Sequence, residues 1–119
     1  MPKVLIVDDI RSEQQLIANA LRPHGYQCLE ASDGGQAYAI AKAEKPDVIL
    51  LDIVMPGQDG FATCRQLKRD PATKDIPVVM VTSKGGDSDR FWGQKQGAAE
   101  YLAKPFTPEE LLATVRRFA

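Results

Sequence analysis

The sequence predicts an α/β domain in which a five-stranded parallel sheet is flanked by five helices. Three continuous apolar runs suit strands buried on both faces, namely Val4–Val7, Val48–Leu51 and Val78–Val81. Stretches with an apolar period near 3.6 separate these runs, as the crossover helices of a parallel sheet require. The length of 119 residues, with 44% hydrophobic and 26% charged residues, fits one globular domain and excludes a disordered chain.

Two weaker strand candidates complete the sheet. Tyr26–Ala31 mixes polar and apolar residues, and Glu100–Ala103 is short. We therefore expect both segments to be outer strands, since a strand at the edge of a sheet is less completely buried.

Four helices are predicted from the spacing of apolar residues. Each has an apolar face that recurs every three to four positions, as a helix packed on a sheet requires. These faces are Leu16, Ile17, Ala20 and Leu21; Ala37, Ile40 and Ala41; Phe61, Cys64 and Leu67 or Lys68; and Leu111, Leu112, Val115 and Phe118.

Helix boundaries are indicated by capping and turn residues. Pro23–Gly25 ends the first helix, Ser32 or Asp33 caps the second, and the Thr107–Glu110 segment starts the last. Pro71 and Pro77 bracket the loop after the third helix.

A weaker fourth helix is predicted over Asp87–Gln96, after Gly85 and Gly86. Its apolar content is Phe91 and Trp92, and we expect Phe91 to pack in the core. Five β-α units result, and right-handed crossovers make them an open sheet with helices on both faces. Ligands bind such folds outside the carboxyl ends of the strands, so the residues there are the candidate site.

Charge and cysteine content limit the class of function. Fifteen Lys and Arg stand against sixteen Asp and Glu, so there is no basic excess for binding nucleic acid. The apolar run before Asp8 is too short for a signal peptide or a membrane span. Cys28 and Cys64 have no metal-type spacing and suit a reducing compartment. We therefore expect a cytoplasmic protein that neither inserts into membranes nor binds nucleic acid.

Three acids, two hydroxyls and one ammonium follow the predicted strands. Three carboxylates brought together repel one another unless a cation shares the site, and Mg²⁺ prefers such oxygen ligands. The ammonium could contact a phosphoryl oxygen or a carboxylate. The alternative is that the acids are helix caps or turn formers. The residues are Asp8 and Asp9, Asp52, Thr82 and Ser83, and Lys104.

These strand ends and their flanking motifs resemble the receiver domains of two-component response regulators. The resemblance covers Lys3 to Phe118 and implies a flavodoxin-like, CheY-like sheet of order 2-1-3-4-5. Its motifs are Val7-Asp8-Asp9, Leu51-Asp52, Met55-Pro56-Gly57, Asp59-Gly60, Val81-Thr82-Ser83, Gly97-Ala98, Tyr101-Leu102 and Lys104-Pro105-Phe106.

The resemblance implies a role for each site residue. Asp52 is the implied phosphoacceptor. The implied ligands of Mg²⁺, for which Mn²⁺ could substitute, are Asp8, Asp9, Asp52 and the backbone carbonyl of Val54. The implied phosphoryl contacts are Thr82, the backbone of Ser83 and Lys104. Thr82 and Tyr101 form the implied switch, and the Lys104–Pro105 peptide bond is expected to be cis.

The resemblance also implies partners. A histidine kinase would donate the phosphoryl group, and a downstream protein would bind the surface of the fourth helix, fifth strand and fifth helix. Residues 1–119 would be a single receiver domain with no output domain, a switch and not an enzyme. The segment Phe91–Ala98 is similar to small regulators of type IV pilus twitching motility, which indicates a chemotaxis-like pilus kinase as donor. Val54 and Lys84 would flank the phosphoryl site.

Two other functions compete with this reading. A phosphatase with an aspartate nucleophile would carry a second Asp two residues later, where this chain has Val54. An interaction module that works without phosphorylation would not need the complete set of strand-end residues. The sequence therefore favours the phosphorylated switch.

Overall fold

The computed structural model describes residues 1–54, 59–83 and 87–119, with the backbone alone at 87–90. The motif Met55-Pro56-Gly57 and the segment Lys84-Gly85-Gly86 lie outside the described residues. Five parallel strands form one sheet: β1 (Lys3–Val7), β2 (Gln27–Ala31), β3 (Val48–Leu51), β4 (Val78–Thr82) and β5 (Glu100–Ala103). Their order, β2-β1-β3-β4-β5, confirms the predicted fold class.

Helices cover both faces of the sheet. α1 and α5 pack on one face, whereas α2 and α3 pack on the other. Within the described ranges, no helix is both long enough and apolar enough to cross a membrane. The helices are α1 (Arg11–Leu21), α2 (Gly34–Glu44), α3 (Gly60–Arg69), α4 (Asp87–Lys95) and α5 (Pro108–Arg116), with a short 3₁₀ helix at Arg22–His24.

The inner strands are apolar throughout because alternate residues enter two different cores. In β1, Val4 and Ile6 pack under α1 and α5, whereas Leu5 and Val7 pack under α2 and α3. All four side chains are at most 1% exposed. This double burial is why the strands appear in the sequence as continuous apolar runs.

The predicted helix caps are confirmed. Of the two candidates for α2, Asp33 is the cap, and its carboxylate accepts a hydrogen bond of 2.8 Å from the amide of Gln36. Thr107 and Glu110 form a reciprocal capping box at the start of α5. α1 ends at Leu21, and Gly25 follows the 3₁₀ helix with φ of 90°, which suits glycine.

Two predicted packing positions are wrong. Leu16 is 59% exposed, because the buried face of α1 consists of Gln14, Ile17, Ala18 and Leu21. Phe91 is 56% exposed, as is its neighbour Trp92. α4 instead approaches the sheet through the buried Gly93, where an added Cβ would lie 3.6 Å from side-chain atoms of Met80 and Tyr101.

Candidate functional site

The hydrogen-bond ladder of the sheet fixes three of the candidate residues in place. The backbone amide of Asp8 donates to Ala31, that of Asp52 to Val7, and that of Lys104 to Thr82, at distances of 2.9–3.1 Å. Each of these amides belongs to the residue directly after a strand. The side chains therefore project from the rigid carboxyl edge of the sheet.

Asp8, Asp9 and Asp52 form a carboxylate cluster at this edge. One oxygen of each lies within 4.8 Å of the other two. Asp8 and Asp52 are buried, at 2% and 8% exposure, whereas Asp9 is exposed. A donor set of carboxylates without His or Cys fits Mg²⁺, which takes a few protein oxygens and retains several waters. The residues present therefore suit a hard divalent cation.

Lys104 lies opposite this cluster. Its Nζ donates to Oδ2 of Asp8 at 2.9 Å and lies 3.6 Å from Oδ2 of Asp52. Burial lowers the pKa of Lys104, but the hydrogen bond to Asp8 and the charges of Asp52, Asp8 and Glu13 outweigh it. The pKa of Lys104 is therefore raised, and the side chain stays cationic.

The pKa of the Asp52 carboxyl is raised above its ordinary value. Burial is the largest cause and outweighs the attraction of Lys104. The backbone amide of Val54 donates to Oδ1 of Asp52 at 3.2 Å, and the Thr82 side chain also forms a hydrogen bond with this carboxylate. The negative charge of Asp52 is thus under-compensated, and a further cation would stabilise it.

Gln14 is a site residue that the sequence analysis missed. Its buried amide donates to the carbonyl of Asp8 at 2.5 Å and to that of Ala31 at 3.0 Å. It therefore positions the turn that carries Asp8. The sequence did contain a signal for this role. Gln14 lies three residues before Ile17 and four before Ala18, which places it on the face of α1 that packs on the sheet.

The other predicted residues surround the carboxylates at different depths. Thr82 is fully buried at the end of β4, and the adjacent Ser83 is exposed. Tyr101 is half-buried on β5, where its ring faces Gly93 of α4. The peptide bond between Lys104 and Pro105 is cis.

A cavity of about 550 Å³ opens above the carboxylates, and its rim is apolar. Ile10, Leu16 and Val54 are each at least 50% exposed and line it, together with Pro105 and Phe106. Exposed large apolar side chains grouped around a charged site are typical of a protein-binding surface.

A carboxylate, a fixed ammonium and a hydroxyl around one point suit phosphoryl chemistry. A carboxylate oxygen such as that of Asp52 can act as a nucleophile, and an ammonium and a hydroxyl such as those of Lys104 and Thr82 can bind phosphoryl oxygens. The three residues of this cluster are all aspartates, whereas catalytic Zn²⁺ sites in hydrolytic enzymes usually include His ligands.

Sequence comparison agrees with this geometry. The model of the response regulator receiver domain matches residues 4–116. Protein PilH of Pseudomonas aeruginosa is 49% identical over 115 residues, which are 97% of this chain and 95% of PilH. The phosphate regulon transcriptional regulatory protein PhoB of the same organism is 46% identical over 113 residues, which are 95% of this chain but 49% of PhoB. The chain thus spans nearly all of PilH and about half of PhoB.

Solved structures show the same fold. The chemotaxis protein CheY4 of Vibrio cholerae superposes with a TM-score of 0.94 at 36% identity, covering 100% of this chain and 99% of that one. The receiver domain of the sensor histidine kinase PA1611 of P. aeruginosa, with a magnesium ion coordinated in its active site cleft, superposes at 0.90 with 31% identity, covering 98% and 96%. This chain therefore belongs to the response regulator receiver domain family.

Proposed function

We propose that Asp52 accepts a phosphoryl group from a histidine kinase in the presence of Mg²⁺ and that the chain acts as a switch. The observation that carries this proposal is the meeting of three carboxylates within 4.8 Å with the Lys104 ammonium, 2.9 Å from Asp8 and 3.6 Å from Asp52. Receiver domains in general accept phosphoryl groups and interact with downstream targets.

The transfer is a displacement at phosphorus. A carboxylate oxygen of Asp52 forms the new P–O bond while the P–N bond of the donor phosphohistidine breaks, and the electron pair returns to the imidazole nitrogen. Lys104, Thr82 and the backbone of Ser83 would bind the phosphoryl oxygens. Asp8, Asp9, Asp52 and the carbonyl of Val54 would hold Mg²⁺, which neutralises phosphoryl charge when bound. Water later cleaves the acyl phosphate and restores the carboxylate.

The same step would change the output surface. A phosphoryl group brings charge and acceptor oxygens next to Thr82. The Thr82 hydroxyl then forms its hydrogen bond with a phosphoryl oxygen instead of with the Asp52 carboxylate. Tyr101 would move with Thr82 and alter the α4–β5–α5 surface, where Phe91 and Trp92 are exposed. We infer that a downstream protein binds there, since exposed aromatic side chains are frequent anchors of interfaces.

The cellular setting is proposed on two observations. The identity to PilH over nearly the whole chain supports a role in a type IV pilus system, with twitching motility or chemotaxis as output. Cys28 and Cys64 are both free thiols, which suits the reducing cytoplasm.

Catalysis by this chain would be limited to its own phosphorylation and dephosphorylation, because Val54 replaces the second acid that an aspartate phosphatase needs.

Removal of metal should slow the phosphorylation strongly. With acetyl phosphate and Mg²⁺, intact mass should increase by one phosphoryl group, and Trp92 fluorescence should change because this residue lies on α4. With EDTA, the rate should fall about 100-fold, since a metal ion contributes several kcal/mol to such transfers. Equal phosphorylation in EDTA and Mg²⁺ would show that the carboxylate cluster does not act through a metal.

The apolar rim should decide phosphorylation by the kinase but not by small donors. Leu16→Glu should slow transfer from the phosphorylated domain of a pilus-type kinase about 10- to 100-fold. A leucine that becomes buried when the two proteins bind contributes roughly 1.5–3 kcal/mol to the free energy of binding. Acetyl phosphate, which needs no docking, should react normally.

Ala39→Glu, on the exposed face of α2, is the matched control and should change neither rate. If Leu16→Glu slows both donors equally, the rim is not a docking surface.

A further inference from the structure

A second charged surface lies at the end of the sheet where the strands begin, opposite to the carboxylate cluster. It is formed between the carboxyl-terminal ends of α3 and α4. We call it the basal groove, lined by Arg65, Lys68, Arg69, Lys95, Gln96 and Gly97, with a volume of about 310 Å³. Four of these six residues are cationic and none is acidic, although the whole chain has a net charge of −1. The basal groove therefore concentrates positive charge that the overall composition conceals.

The cations of the basal groove differ in how fully the fold uses them. Lys68 is half-buried over Gly97, and its ammonium donates to the carbonyls of Ile76 at 2.6 Å and Lys74 at 3.1 Å. Arg65 and Arg69 are exposed. Among the ion pairs of the described residues, none includes either arginine. Lys68 is thus structural, whereas the two arginines remain available to a ligand.

Helix stability accounts for only part of this charge. Arg69 and Lys95 lie in the last turns of their helices, where cations interact favourably with the helix dipole. Arg65 lies one turn earlier, and like charges four positions apart repel each other. Its guanidinium is instead oriented across the groove by the side-chain oxygen of Gln96, at 3.2 Å. Arg65 is therefore held by Gln96, and it forms no ion pair with an acid among the side chains that the structure describes.

We propose that the basal groove binds an acidic segment of a partner protein, with carboxylates paired to Arg65 and Arg69. Guanidinium groups bind carboxylates through paired, charge-assisted hydrogen bonds, and two such groups one turn apart suit neighbouring acidic residues. The contact goes beyond the proposed phosphoryl switch. α3 and α4 run back from the carboxyl edge, so a segment bound here leaves Asp52 accessible.

The same features disfavour nucleic acid as the occupant. The sequence pI of 5.8 means that the rest of the surface would repel a long polyanion. The six lining residues include no aromatic ring on which bases could stack. A short acidic segment needs only the local positive charge.

Anisotropy of a fluorescein-labelled polyglutamate peptide tests this proposal with the full chain. Arg65→Gln/Arg69→Gln should weaken binding about tenfold or more, because two charge-assisted contacts are lost. The control Arg22→Gln/Arg116→Gln removes the same net charge from other surfaces and should change affinity less than about twofold. Melting temperatures would show that both variants fold.

Two outcomes would overturn the proposal. One is an equal loss of affinity in the two double variants, which would mean that the peptide senses only net charge. The other is tighter, Arg65- and Arg69-dependent binding of a single-stranded oligonucleotide. Phosphorylation by acetyl phosphate and Mg²⁺ is measured on the same samples and should persist in both variants. Its absence in the wild type would count against the switch and not against the groove.

Discussion

Asp52→Asn is expected to abolish phosphorylation by both acetyl phosphate and a histidine kinase. The amide is not a nucleophile at neutral pH, and no other described carboxylate occupies the same position between Lys104 and Thr82. Intact mass and kinase transfer assays should show no phosphoryl adduct. Asp75→Asn, an exposed change at the other edge of the sheet, should react like the wild type. Phosphorylation of Asp52→Asn at the wild-type rate would place the phosphoacceptor elsewhere.

The same substitution should stabilise the metal-free protein at pH 7. Because burial raises the pKa of Asp52 in the folded state, that state holds its proton more tightly than the unfolded chain does. Wild-type stability is therefore lost as pH rises from the ordinary carboxyl value of 3.8 through the raised pKa. Asn has no such penalty, so its melting temperature should be a few degrees higher at pH 7.

Calorimetry with and without Mg²⁺ checks this expectation. Mg²⁺ should raise the melting temperature of the wild type more than that of Asp52→Asn, since it offsets the buried charge. The difference between the two metal-free proteins should shrink as pH falls toward 3.8. A metal-free Asp52→Asn protein that melts below the wild type at pH 7 would refute the claim that this carboxylate destabilises the fold.

Much of the site could be read from the sequence because parallel strands share one carboxyl edge. Asp8, Asp52 and Thr82 each end or follow an apolar run, and Lys104 follows the weaker strand candidate Glu100–Ala103, so their meeting follows from the fold class. Strand order came from family resemblance, since apolar runs do not state which strands are neighbours. The predicted outer strand Tyr26–Ala31 began one residue too early. Tyr26 is buried, but it precedes the hydrogen-bonded pairing of β2 with β1, which starts at Gln27.

Packing around the site was less predictable. The search for apolar periodicity considers only apolar side chains, so it selected Leu16 and overlooked Gln14. Gln14 can be buried although it is polar, because its amide donates to two backbone carbonyls. In α4, the residue that meets the sheet is Gly93, which carries no hydrophobic signal, and Phe91 and Trp92 are consequently exposed. Both errors fell on surfaces that we now assign to partner binding.

Gly60→Ala should cause a large loss of stability although it adds one methyl group. An added Cβ would lie 2.3 Å from the carbonyl oxygen of Asp52 and 2.6 Å from the Cα of Ile53. Both are backbone atoms, so no change of rotamer can relieve the contact. We expect a loss of about 3 kcal/mol or more in the free energy of unfolding, measured in urea. The start of α3 or the chain at Asp52 must move.

Gly35→Ala is the matched control because its Cβ would meet one side-chain oxygen, on Asp33, at 3.4 Å. It lies in α2, where alanine is favoured over glycine, and should be neutral or slightly stabilising. Under conditions where Gly60→Ala remains folded, its phosphorylation should still be slowed, since relief of the clash displaces Asp52 from Lys104. Wild-type stability in Gly60→Ala would mean that α3 can withdraw from Asp52 freely, and the close approach of glycine would then have no role in holding Asp52 in place.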